Sequence, residues 1–115
     1  MSVNDIESSE VQARIFAALA DPLRVRFVGE LADGEEKTGT EIAGRIEISL
    51  ALLCHHSRIL VDAGVIIKRK KAQTAYYRAN KPLLRQAMKD LLACEETKRR
   101  ASARAHSRAN AAAQP

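Results

Sequence analysis

The sequence predicts a mainly α chain carrying one small β-hairpin, and three observations lead there. Residues 40–46 (TEIAGRI) read as a short helix, a tight turn falls at Glu47-Ile48, and residues 49–64 (SLALLCHHSRILVDAG) read as a second helix. Two short strands around a basic tip follow in residues 65–79 (VIIKRKKAQTAYYRA). Positive charge collects in the same region: residues 58–89 carry nine Lys or Arg against Asp62 alone, whereas residues 1–57 carry five basic and ten acidic side chains. Two helices joined by a few-residue turn, the second followed by a basic hairpin, make the layout of a winged helix-turn-helix of order α-α-α-α-β-β-α.

Each element has a local cause. Ser9 and Gln12 have the spacing of a capping box, and Val11, Ile15 and Leu19 repeat at helical period, so a first helix is expected from Ser9 to Ala20. Asp21-Pro22 starts the next one, with Asp as N-cap and Pro at the first helical position. Leu23, Phe27, Val28 and Leu31 form its apolar stripe, while Arg24, Arg26 and Glu30 face elsewhere. A polar loop surrounds Gly34. Thr38 with Glu41 offers a second capping box, and Ile42, Ala43 and Ile46 give the third helix its buried side. Glu47 takes the turn position, which usually needs positive φ and prefers Gly. Ser49 is a good N-cap for the fourth helix and Gly64 a good terminator, with Leu53, Leu60 and Val61 as its buried stripe and Leu50 at the margin.

Residues 65–70 and 74–79 read as two alternating strands with β-branched or aromatic residues, joined through Lys71-Ala72-Gln73. Tyr76 and Tyr77 are expected to pack the hairpin rather than stack on bases. Lys81-Pro82 opens a last helix whose apolar side is Leu84, Ala87, Met88, Leu91 and Leu92. The 115 residues, 46% of them hydrophobic, suit one domain with a modest core. Its expected bounds are residues 10–97, between a flexible N-terminus (1–9) and a basic Ala/Arg-rich tail (98–115) that either extends the last helix or hangs disordered. No apolar run reaches the roughly 20 residues of a membrane span, and the acidic N-terminus lacks a signal-peptide pattern. A cytoplasmic location with reduced cysteines and no membrane partner is the expectation.

The motifs also resemble a known family. Leu19-Ala20-Asp21-Pro22-Leu23-Arg24 resembles the "L-x-D-P-x-R" opening of the ArsR/SmtB winged-helix repressors. Residues 42–49 (IAGRIEIS) are similar to that family's "LAEALGLS" turn, and residues 55–66 (HHSRILVDAGVI) to its "HHLKVLREAGLV". Arg69-Lys70 with Tyr76-Tyr77 resembles its wing. The match covers about residues 10–92, in the family's order. It implies a bacterial transcriptional regulator, not an enzyme. It further implies a homodimer built on the first and last helices that binds an inverted repeat in double-stranded DNA and is released by a metal, metalloid or thiol-reactive signal. The chain departs from the pattern at Leu50, Ala51 and Leu52, where the family often has Gln, Ser or Thr. It departs again at Ser57, where Leu is usual, and at Ala72, where the wing tip is usually Gly.

On a helix, residues 51, 54, 55 and 58 lie along one face, opposite Leu53 and Leu60. By the resemblance that face meets DNA, so the expected contacts are Ser49, Leu50, Ala51, Cys54, His55, His56 and Arg58. His55 is the first choice for a base or phosphate, His56 the second. Lys68, Arg69, Lys70 and Lys71 are expected on backbone phosphates. Direct hydrogen-bond readout is expected to be weaker here, with thymine-methyl contacts or DNA shape taking a larger share. Cys54-His55-His56 is a poor metal run, because adjacent helical side chains point about 100° apart. No cofactor is required. Candidate sensing residues are Cys54, whose modification would block the groove, and Asp90 with Cys94 and His106. A competing class is a winged-helix interaction module for a protein or RNA, which exposed Leu50 and Leu52 would favour.

Overall fold

The computed structural model describes residues 6–93. Helix α1 spans Ile6–Leu19 and α2 Pro22–Glu30; a two-residue strand β1, Lys37–Thr38, precedes α3, Gly39–Ile46. Helix α4 (Leu50–Asp62) leads into β2 (Ile66–Lys71) and β3 (Thr74–Ala79). A last helix, α5, runs over residues 81–93. Cys94, His106 and the basic tail lie outside the described residues, as do residues 1–5.

Most of the expected caps form. Asp21 Oδ1 accepts from the Leu23 and Arg24 amides at 2.8 and 3.2 Å. Thr38 Oγ1 accepts from the Glu41 amide while Glu41 Oε1 accepts from the Thr38 amide, a complete capping box. Ser49 Oγ accepts from Leu52 N at 3.1 Å. Glu47 adopts φ 57°, ψ 51° at the end of α3, and Gly64 takes φ 79° just past α4. The turn between the two helices of the motif is thus closed by a left-handed residue, as the sequence required, but without the glycine that would carry it free of strain.

Three boundaries differ from the sequence expectation. Helix α1 begins at Ile6, so Ser9 lies within its first turns rather than capping it, and Gln12 instead donates to the Ala87 carbonyl across to α5. The hairpin loop is Ala72-Gln73 alone, because Lys71 pairs with Thr74, and Ala72 sits at φ 56° where Gly is favoured. The sheet gains a third strand. Its order is β1-β3-β2, all antiparallel, with Lys37 opposite Tyr77 and Thr38 opposite Tyr76. Lys37 is only 8% exposed, and its ammonium is held by the Glu30 carbonyl and the Asp33 carboxylate, each at 2.8 Å. Those partners satisfy a cation that burial would otherwise penalise.

The core joins every element. Phe27 of α2 and Leu31 at its C-cap, Ile42 and Ile46 from α3, Leu53 and Leu60 from α4, Val65 just before β2, and Ile66 and Tyr77 from the sheet are fully or almost fully buried. Ile15 and Ala18 of α1 and Ala87 of α5 close the far side. Tyr77 sits at the crossing point, its ring edge-on to Phe27 at 5.6 Å between centroids. Close approach of α3 here needs Gly39: a Cβ there would stand 3.1 Å from Leu53 Cδ2 and 3.4 Å from Tyr77 Cε2.

A non-glycine residue in the left-handed region costs about 1 kcal/mol or more, part of which the unfolded entropy of glycine returns. Glu47→Gly should therefore stabilise the protein by up to about 1 kcal/mol, raising the melting temperature by at most roughly 4–8 °C for a domain of this size. Thermal denaturation of both proteins at one fixed concentration checks this; an unchanged or lower midpoint would mean that the Glu47 side chain contributes more than its strain removes.

Candidate nucleic-acid interface

Helix α4 divides cleanly into two sides. Leu53, His56, Ser57 and Leu60 are buried, and Ala51, Cys54, His55 and Arg58 are exposed on the opposite side, with Leu50 and Leu52 flanking them at the helix start. The expected face of residues 51, 54, 55 and 58 is therefore the free surface of the helix. The Cys54 thiol is free and open to solvent.

His56 departs from the expectation that it contacts DNA. It is 6% exposed, and its Nδ1 accepts from Arg24 Nη1 at 3.1 Å, so that nitrogen carries no proton. Arg24 in turn donates from Nε to the Ala18 carbonyl at 2.7 Å, which ties the end of α1, the start of α2 and the middle of α4 into one joint. The reason is helical spacing: position 56 lies between 53 and 60 on the core stripe, about 100° from His55. Burial pushes the His56 pKa below its ordinary 6.5, with Asp21 opposing and Arg24 and His55 reinforcing the shift. Ser57, at a position where the family usually has Leu, is also buried; its hydroxyl donates to the Cys54 carbonyl and accepts from the Tyr77 hydroxyl at 3.3 Å. A polar contact thus joins α4 to the hairpin.

The hairpin register sorts the four basic residues of β2. Lys68 stands opposite Tyr77 and Lys70 opposite Ala75, which places them on the sheet face that packs against the helices; Arg69 and Lys71 lie on the other face. Lys68, Lys70 and Lys71 are exposed. Arg69 is exposed as well, and it is also engaged within the protein. Its guanidinium makes two hydrogen bonds to Glu36, at 2.8 and 2.9 Å, and lies over the Tyr76 ring at 4.6 Å. That hydrogen bonding holds the Glu36 carboxyl below its ordinary range and the Arg69 guanidinium above its own. Arg69 braces the hairpin against the loop before β1, a partner 33 residues away that no local pattern reveals. Arg24 lies in the "D-P-x-R" motif and off the apolar stripe of α2, and its partner His56 is 32 residues away. Arg78, exposed opposite Ile67, adds a further cation to the outer face of the hairpin.

On α5, Asp90 accepts from Gln86 at 2.8 Å. Among the described residues no three His, Cys, Asp or Glu side chains converge as a metal site would require.

A capped helix-turn-helix whose second helix leaves one side free, joined to a basic two-stranded wing, defines the winged helix-turn-helix class. Comparison with known proteins narrows this. Over 78 aligned residues the chain is 35% identical to the transcriptional repressor SdpR of Bacillus subtilis, covering 68% of this chain and 86% of that protein. An ArsR family transcriptional regulator of known structure superposes with a TM-score of 0.69 at 29% identity, covering 77% of this chain and 90% of the other. The fold is matched further by an ArsR-like transcriptional regulator from Rhodococcus sp. RHA1, with a TM-score of 0.82 at 23% identity over 92% of this chain and 99% of that one. No family model matches the sequence. The chain belongs to the ArsR/SmtB family of transcriptional regulators.

The buried His56 gives a pH signature. In the unfolded chain it takes up a proton near pH 6.5, while in the folded protein it resists doing so until lower pH. The unfolded state then binds more protons in that window, so this stability is present above pH 6.5 and is lost as pH falls toward the folded pKa. Urea unfolding between about pH 7.5 and 5.5 should show that decline, His56→Gln should flatten it, and His55→Gln should leave it in place. An equal slope in all three proteins would assign the effect to other groups.

Proposed function

We propose that the protein is a cytoplasmic transcriptional repressor that binds an inverted-repeat operator in double-stranded DNA as a homodimer, acting by binding rather than by catalysis. The observation that carries this reading is the free face of α4 standing beside a basic hairpin, both fixed to one core. Ala51, Cys54, His55 and Arg58, with Ser49 and Leu50 at the helix start, enter the major groove; Lys68, Lys70 and Lys71 reach phosphates and position the protein without reading sequence. Its similarity to a transcriptional repressor supports the sign of regulation.

Dimerisation is supported by an apolar surface left open on the single chain. Val11 of α1 and Met88, Leu91 and Leu92 of α5 are all exposed large hydrophobic side chains. A groove of about 470 Å³ between α1 and α5, lined by Val11, Gln12, Ile15, Leu83 and Ala87 among others, continues that surface. A second copy covering it would bury these groups and set two recognition helices on successive half-sites. As for the signal, Cys54 lies on the face assigned to DNA, so a bulky or charged adduct on its thiol would block the groove directly.

Wild type should run as a dimer in light scattering at micromolar concentration, and Leu91→Asp should shift it to monomer and abolish specific binding together. In a dimer, changing Lys70 and Lys71 to Ala removes up to about four phosphate contacts, so the slope of log K against log salt should flatten by up to about 3–4. An unchanged slope would place DNA away from the wing. Alkylation with N-ethylmaleimide should release wild type from its duplex but spare Cys54→Ser; release of both would move the sensitive thiol elsewhere.

A further inference from the structure

In helix-turn-helix docking the first residues of the recognition helix reach base edges. Three hydrogen-bonding side chains in and capping α4 are committed to the protein itself. Ser49 Oγ caps the helix on Leu52 N, His56 is turned onto Arg24, and Ser57 bonds Tyr77 and the Cys54 carbonyl. What points outward from the first turn is aliphatic: Leu50 is 53% exposed, Leu52 38%, and Ala51 lies between them. His55 and Arg58 follow one to two turns later.

Among major-groove base edges only one group is apolar, the 5-methyl of thymine. We infer that the first turn of α4 reads thymine methyl groups: Leu50, Ala51 and Leu52 pack on them, and hydrogen-bond readout of bases is confined to His55 and Arg58. The inference rests on α4 being the DNA-reading helix, as proposed above, and it names the class of sequence that helix selects, half-sites with thymines facing its N-terminal turn. Charge favours DNA over an apolar protein surface as the occupant. The helix carries no carboxylate before Asp62, and Lys68, Lys70 and Lys71 stand exposed on the adjoining wing. An exposed leucine pair on such a helix, in a fold whose wing exposes lysines, suits a methyl-lined groove between phosphate rows, where the apolar contact discriminates and the lysines supply attraction.

The test uses the full chain and a pool of randomised duplexes. Repeated rounds of binding select the preferred sequence, and fluorescence anisotropy then compares that duplex with versions in which half-site thymines become deoxyuridine, which removes the methyl and nothing else. The expected consensus has thymines in both half-sites. Each contacted methyl removed should weaken binding about fourfold, and a symmetric pair about fifteenfold. Deoxyuridine outside the half-sites should change nothing. In Leu50→Ala/Leu52→Ala, confirmed folded by its melting curve, the penalty for losing a methyl should shrink to less than about twofold. Full affinity of wild type for the all-deoxyuridine duplex would overturn the inference while leaving the repressor reading intact. So would a leucine double variant that binds the thymine duplex as well as wild type, which would assign the leucines to another partner. Failure to enrich any sequence would instead remove the DNA-binding reading, and this inference with it.

Discussion

A helix and a hairpin can address one stretch of duplex only if the angle between them is held, and here that angle passes through the side chain of Tyr77. The ring belongs to β3, packs edge-on against Phe27 of α2, and lies against the space kept open by Gly39 at the start of α3. Its hydroxyl reaches Ser57 on the inner side of α4. One buried residue thus touches the scaffold, the first helix of the motif and the recognition helix while forming part of the wing. Ser57, Gly39 and the three-strand sheet make sense as accommodations to that ring: a small hydroxyl to meet its oxygen, no side chain where α3 passes it, and a short β1 to close the open edge of β3. A buried aromatic with its polar end satisfied is well suited to such a place, because it combines a large packing area with one directional contact.

The electrostatics divide along the same lines. Charge on the chain is segregated, with the acidic excess in the first half and the basic excess from Arg58 onward. Part of that basic excess is structural. Arg69 is neutralised by Glu36, and Lys37 by Asp33 together with a backbone carbonyl. The other cations exposed on β2 are lysines, which act as mobile point charges rather than planar forks, and Arg78 adds one guanidinium on β3. Such a set suits attraction and sliding on a phosphate backbone, and leaves discrimination to the surface of α4.

Much of this was legible in the sequence because the signals are local. Asp21-Pro22, Thr38 with Glu41, Ser49 and Gly64 act through hydrogen bonds or dihedral preferences within four residues, and Glu47 was forced into the left-handed turn by the helices on either side. The core stripes followed from helical period. The missed features are those fixed by distant partners. β1 is two residues long, one of them a lysine, and exists because β3 offers it an edge. The Arg69–Glu36 pair joins residues 33 apart in sequence. His56 is the instructive case: the spacing that buries Leu53 and Leu60 also buries position 56, so helical period places the imidazole inside although its polarity suits the surface. The start of α1 at Ile6 escaped because the Ser9–Gln12 spacing fits a capping box that Gln12 does not make; its amide is spent on Ala87 of α5.

Whether the free face of α4 and the wing meet DNA together is decided most directly by amide chemical-shift mapping of isotope-labelled protein on addition of its selected duplex. If the geometry works as described, the largest changes fall on residues 50–58 of α4 and on 68–73 at the hairpin, with the interior marked by Phe27, Leu31 and Leu60 little disturbed. Changes confined to α1 and α5, or spread over α4 while the hairpin stays silent, would contradict it.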